Sequence, residues 1–87
     1  MPYIKKLRRD EMANTARKGS HPIMKSSGEL NYELTLKCLN FLKHKGVAYC
    51  TYNEIIGALE CCKLEIYRRM VAPYEDIKIN ENGDVYD

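Results

Sequence analysis

The apolar residues of this chain repeat at helical spacing in two stretches, and this periodicity constrains the fold more than any other feature. In the first stretch every fourth residue is apolar, so these residues share one helix face: Leu30, Leu34, Cys38 and Leu42. Ser26 and Glu29 have the spacing of a capping box, which satisfies free amide groups at a helix start. Gly46 follows a basic last turn and suits a helix end. The sequence therefore predicts a helix over residues 27–45.

The second stretch predicts a longer helix over residues 51–71. Apolar residues fall at three- and four-residue steps: Ile55, Leu59, Cys62, Ile66 and Met70. Thr51 and Glu54 form a second possible capping box, and Pro73 is expected to end the helix because proline cannot donate to the preceding turn. Further apolar residues widen the face beyond a single stripe, which indicates that this helix packs against more than one partner.

These elements predict a mainly α protein: an antiparallel helical hairpin with a short N-terminal segment and an extended C-terminal arm or small hairpin. A chain of 87 residues is one domain and buries only about 60% of its unfolded surface. We therefore expect it to form a homo-oligomer, either a dimer or a larger closed ring. Residues 73–87 are expected to be an extended acidic tail, in which Asn82-Gly83 suits a tight hairpin turn.

Charge divides the chain. Residues 1–27 carry seven basic and two acidic side chains, a net charge of +5, whereas residues 28–87 carry seven basic and ten acidic ones, a net charge of −3. Residues 1–26 are therefore interpreted as a basic arm. The arm either docks on the acidic remainder of the chain or reaches a phosphate-bearing partner, and the sequence does not separate the two.

The residue types that catalysis needs are missing from the sequence. It has no Gly-rich phosphate loop, no nucleophile elbow and no paired His and Cys, so we expect a protein that is not an enzyme and uses no cofactor. The four cysteines lack zinc-site spacing and are predicted to be buried free thiols without a metal. No apolar run is long enough for a membrane helix or a signal peptide, which predicts a cytoplasmic protein without membrane association.

One arginine pair is the main candidate for ligand binding. Arg68 and Arg69 lie near a helix end, beside Tyr67 and Tyr74. A guanidinium group binds phosphate in a bidentate manner and a tyrosine ring can stack on a base, so this set suits a nucleotide. The alternative is a solvated helix face on which Glu65 forms ion pairs with both arginines.

Four more residues join this candidate ligand site. An antiparallel hairpin would bring Asn31 and Tyr32, at the start of the first long helix, close to the arginine pair near the end of the second. Lys5 and Lys6 of the basic arm complete the set as further cations for phosphate groups.

Six motifs carry a resemblance to a known family: MPYIKK (1–6), GELNY (28–32), IGALE (56–60), YRR (67–69), APYED (72–76) and ENGDVY (81–86). With them, the chain resembles an uncharacterised family of short proteins from phages, prophages and bacterial mobile elements. The resemblance covers nearly everything outside residues 7–26 and implies no catalytic or binding residues.

Small oligomeric helical proteins of phages include sponges, which sequester the nucleotide signals of bacterial immunity. By this analogy we expect a non-enzymatic binding protein that sequesters a cyclic nucleotide or an ADP-ribose-like signal as a homo-oligomer. The alternative is an adaptor that binds nucleic acid through the basic arm, or a host protein through the apolar helix face. Nucleic acid is the less favoured partner, because the C-terminal segment is acidic.

Overall fold

The computed structural model describes residues 3–86, which are mainly helical and contain no strand. Its elements are α1 (Lys6–Arg17), α2 (Ser27–Lys45), α3 (Tyr49–Ile66), a π-helical turn (Tyr67–Val71) and α4 (Ala72–Asn82). Within residues 3–86, no helix combines the length and the apolar character that crossing a membrane requires. The chain divides into two compact units, Met1–Val47 and Ala48–Asp87, which we call unit 1 and unit 2.

Helix α2 has the bounds that its sequence pattern predicts. Ser26 adopts an extended backbone, and its hydroxyl accepts a hydrogen bond from the Glu29 amide at 3.2 Å. The Glu29 carboxylate accepts from the amide of Lys25 at 3.0 Å, one residue before the position that a complete capping box would use. At the other end, Gly46 donates to the carbonyl of Leu42. Local capping chemistry therefore sets both ends of this helix.

The basic N-terminal segment differs from the expected arm, because most of it forms α1. Met12 of this helix is only 1% exposed, and Pro22 in the connection to α2 is buried. The Arg8 guanidinium lies 2.8 Å from the Glu29 carboxylate and also donates to the carbonyl of Ile23. Apolar burial and an ion pair thus hold α1 and the connection to the start of α2.

Helix α3 begins two residues earlier than predicted, with Ala48 in the N-cap position. Thr51 is not the cap: its amide donates to the carbonyl of Ala48, and the residue is buried inside the first turn. The predicted second capping box is therefore wrong. The extended backbone of Ala48 begins the helix without a side-chain cap.

Pro73 does not end the second long helix, contrary to the prediction. The backbone widens into the π-helical turn, where the amide of Ala72 donates to the carbonyl of Tyr67, five residues earlier. Pro73 then lies in the first turn of α4, directly after the π-helical turn. One continuous helical stretch therefore spans residues 49–82, and we call it the long helix.

The predicted extended tail is also wrong, because residues 73–82 are helical. Gly83 has φ +85° and its amide donates to the carbonyl of Ile79, so it ends α4 instead of forming a hairpin turn. The alternation of apolar and polar residues over 77–80 lies within this helix. The last residue of the predicted tail, Asp87, falls outside the described residues.

Unit 2 buries little of its apolar surface. Among residues 48–86 only Thr51 is buried, and the large apolar side chains of the long helix are exposed, Ile56 at 67% and Met70 at 70%. The predicted hairpin of two long helices would connect the two units. That arrangement stays a prediction, as does the oligomeric state.

Candidate functional site

The arginine pair lies in the π-helical turn and is engaged with Glu65. Arg68 contacts one Glu65 carboxylate oxygen at 2.9 Å, and the Nε atom of Arg69 contacts the other. Both arginine side chains are 71% exposed. This is the arrangement that the alternative of a solvated helix face predicts, in which residues three and four positions apart form exposed ion pairs.

The two candidate tyrosines lie together in a cavity of about 600 Å³ at the C-terminal end of unit 2. We call it the tyrosine cleft. Its lining includes three tyrosines, three carboxylates and one lysine: Tyr67, Tyr74, Tyr86, Glu75, Asp76, Asp84 and Lys78. Arg68 and Arg69 are not part of this lining. The predicted combination of arginines and tyrosines in one pocket is therefore not formed within unit 2.

The tyrosine cleft has negative electrostatic character. The Tyr67 hydroxyl donates to Glu75 at 2.6 Å, and this hydrogen bond, together with the charges of Glu75 and Asp76, raises the pKa of Tyr67 above its ordinary value. The Lys78 ammonium lies 5.5 Å from the centre of the Tyr74 ring and 3.2 Å from the carboxylate of Glu81. A phosphate would meet carboxylates here, which disfavours the cleft as a nucleotide site.

Tyr32 belongs to a different cavity, of about 320 Å³, between α1 and α2. We call it the α1–α2 groove. It is floored by the buried Met12 and flanked by Arg9 and Lys37, with Glu33 as its one acidic residue. The Arg9 guanidinium donates to the carbonyl of Ile4 at 3.2 Å. Because this acceptor is neutral, the contact does not balance the positive charge of Arg9. The groove thus combines an aromatic ring with two cations.

The remaining candidate residues of unit 1 lie outside this groove. Asn31 accepts from the Thr35 hydroxyl, through its backbone carbonyl at 2.8 Å and its side chain at 3.3 Å. Lys6 forms an ion pair with Asp10 at 2.8 Å, which lowers the pKa of that carboxyl, while Lys5 is exposed just before α1. These candidates and the arginine pair belong to separate units, so the expected joint site stays a prediction.

The sequence contained a signal for the α1–α2 groove that the prediction did not use. Arg9, Met12, Ala13 and Ala16 follow three- and four-residue steps along α1, which places them on one helix face. The sequence also indicates a short apolar face in this segment, formed by Ile4, Leu7 and Met12, and of these three only Met12 lines the groove. The interpretation of residues 1–26 as a basic arm does not include the groove face.

The cysteines are free, as predicted, but they are not buried: Cys38 is half-buried, whereas Cys50, Cys61 and Cys62 are exposed. The three exposed cysteines lie in the long helix, most of whose side chains are exposed. Within residues 3–86, no three or more His, Cys, Asp or Glu side chains are grouped closely enough to hold a metal ion.

Together these features describe a small helical protein whose described residues include a cation-flanked groove, an acidic aromatic cleft and a long, largely exposed helix. The chain matches a family described as a domain of unknown function (DUF6899) over residues 1–85, and it belongs to that family. Neither a curated protein nor a solved structure gives a significant match.

Proposed function

We propose that this protein is a non-enzymatic binding protein that acts through self-association, with the long helix as its interface. The observation that carries this proposal is the exposure of apolar side chains along residues 49–82, where Ile56, Ile66 and Met70 are each more than half exposed. Contiguous apolar patches of more than a few hundred Å² mark interaction surfaces. An apolar face of this length is costly to leave in water.

A second copy of the chain is the partner that fits this face. The 34 residues of the long helix extend over about 50 Å at 1.5 Å per residue. Apolar residues at three- and four-residue steps pack against a helix with the same spacing, and a second copy presents that spacing over the same length. A closed pair of such helices would remove both apolar faces from water.

Light scattering coupled to size-exclusion chromatography tests self-association. We expect the wild-type mass to be that of two or more copies of the 10.1 kDa chain. Ile66→Asp should reduce it to the mass of one copy. Asn53→Asp is the matched control, because it introduces the same side chain at an exposed polar position of α3. A monomeric wild-type protein would contradict the proposal and favour an adaptor that docks a host protein helix.

A second candidate function is the sequestration of a nucleotide-type signal, and the α1–α2 groove favours it. Tyr32 can stack on a base while Arg9 and Lys37 bind phosphate. The volume of about 320 Å³ is at the lower end for small-molecule sites and suits one nucleotide unit. If the phage or mobile-element origin suggested by the sequence motifs is correct, the ligand would be a cyclic nucleotide or an ADP-ribose-like immune signal.

A thermal-shift screen tests nucleotide binding. Cyclic dinucleotides, cyclic trinucleotides and ADP-ribose would be added to the purified protein, and at least one is expected to raise its Tm. Lys37→Gln should reduce that shift, whereas Lys43→Gln removes the same charge from α2 outside the groove and should not. No shift with any of these compounds would count against this function and leave self-association standing.

A further inference from the structure

The tyrosine cleft combines two properties that the proposed function does not use: aromatic walls and an excess of negative charge. Three tyrosines and three carboxylates line it, and Lys78 is its one basic residue. The Lys78 ammonium forms an ion pair with the Glu81 carboxylate at 3.2 Å. The lining is therefore complementary to a cation.

One ring of the cleft, that of Tyr74, already faces a cation of the same helix. The Lys78 ammonium lies 5.5 Å from the centre of the Tyr74 ring, within the range of a cation–π interaction. Tyr67 extends the aromatic wall, and its hydroxyl is held by Glu75 at 2.6 Å. A guanidinium or alkylammonium group could lie flat on such a wall while a carboxylate balances its charge.

The size of the cleft and the spread of its charges define the class of ligand. No group of three or more potential metal ligands occurs in the described part of the chain, so the carboxylates are too dispersed for a metal site. A cavity of about 600 Å³ exceeds the volume of one amino-acid side chain and is typical of sites that hold a drug-sized molecule. A short segment with several cationic side chains fits both observations.

We propose that the tyrosine cleft binds an arginine- or lysine-rich segment of a partner protein. The aliphatic part of each cationic side chain packs on Tyr67 or Tyr74, and its charge faces Glu75, Asp76 or Asp84. This site goes beyond self-association, because it recognises charge and not an apolar helix face.

Isothermal titration calorimetry with capped tetra-arginine, on the full chain at about 0.15 M salt, tests the proposal. We expect heat and saturation with tetra-arginine and none with capped tetraglutamate. The variant Glu75→Gln with Asp76→Asn should weaken binding roughly fivefold, as expected for the loss of two partly exposed ion pairs. A glutamine at position 75 can still accept the Tyr67 hydrogen bond, so the cleft should keep its shape.

Two further variants make the outcome decisive. Glu60→Gln removes one carboxylate that pairs with Lys63 at 3.1 Å outside the cleft, and it should leave binding unchanged. Tyr74→Leu keeps every carboxylate but removes an exposed ring, and it should weaken binding without unfolding the helix.

Absence of heat with tetra-arginine would overturn the proposal. An equal loss of affinity in Glu60→Gln would also overturn it, because binding would then reflect net charge alone. The light-scattering mass of the same samples reports separately on self-association.

Discussion

Unit 1 and unit 2 are stabilised in different ways. In unit 1, Met12 is buried, and Arg8 forms an ion pair with Glu29, 21 positions later in the chain. In unit 2, the ion pairs of Glu60, Glu65 and Lys78 connect residues three or four positions apart, and most large apolar side chains of the long helix are exposed. We infer that unit 1 encloses a small core of its own, whereas unit 2 depends on a partner to bury its apolar surface.

The largest expected effect comes from opening the core of unit 1. Met12→Ala should lower the free energy of unfolding by about 2–5 kcal/mol, because it removes buried methylene groups and leaves a cavity. For a domain of this size that corresponds to a drop in Tm of about 10 °C or more. Urea unfolding followed by circular dichroism measures it.

Met70→Ala is the matched control in unit 2, since it makes the same change at a side chain that is 70% exposed. It should alter stability by less than about 1 kcal/mol at a concentration where the protein is monomeric. Equal losses in the two variants would contradict the contrast between the units.

The second expected effect is that stability depends on protein concentration. If copies assemble through the long helix, association stabilises the folded state by mass action, by about 2.7 kcal/mol when the free partner is at a hundred times its Kd. The Tm should therefore rise with concentration in scanning calorimetry. Ile66→Asp should abolish the rise and Asn53→Asp should keep it, whereas a Tm that is independent of concentration in the wild type would contradict the proposed assembly.

Local signals predicted part of the fold correctly. The bounds of α2 follow from the Ser26 cap, the apolar repeat and Gly46, all of which act within a few residues. Such signals need no knowledge of the rest of the chain. The ion pairs of Glu65 with Arg68 and Arg69 were predictable for the same reason, because helical spacing alone brings these side chains together.

The features that the sequence did not predict depend on the backbone geometry of the π-helical turn. Proline ends a helix in most contexts. The π-helical turn that accommodates Pro73 leaves no simple pattern in the sequence. The same turn adds a residue to the helix and so changes which side chains share a face beyond it. The arginine pair and Tyr74 are close in the sequence, yet only the tyrosine lines the cleft.

The third expected effect is an acid sensitivity specific to unit 1. The Arg8 hydrogen bond, the Lys25 amide and the positive charge of Arg8 lower the pKa of Glu29 below its ordinary value of 4.5. The ionised carboxylate therefore stabilises the fold fully above about pH 5, and this contribution is lost as the pH falls through the lowered pKa. Glu29→Gln should remove most of the stability change below pH 4.5.

The Lys6 ammonium also lowers the pKa of Asp10, but this carboxyl is exposed within α1. Asp10→Asn should therefore leave most of that acid sensitivity in place. The measurement is the denaturation midpoint between pH 3 and pH 7, and identical pH profiles for Glu29→Gln and the wild type would refute the prediction.

The smallest expected effect concerns the ion pairs of unit 2. Glu65→Gln removes the carboxylate that contacts both Arg68 and Arg69, yet it should change the free energy of unfolding by no more than about 0.5 kcal/mol, because exposed pairs within one helix contribute little. The substitution also uncovers two guanidinium groups in the π-helical turn. If these arginines bind phosphate, as the sequence first suggested, Glu65→Gln should strengthen binding of a cyclic dinucleotide in calorimetry. If the α1–α2 groove is the nucleotide site instead, the affinity should stay unchanged, so this one variant separates a ligand role for the arginine pair from a purely local structural role.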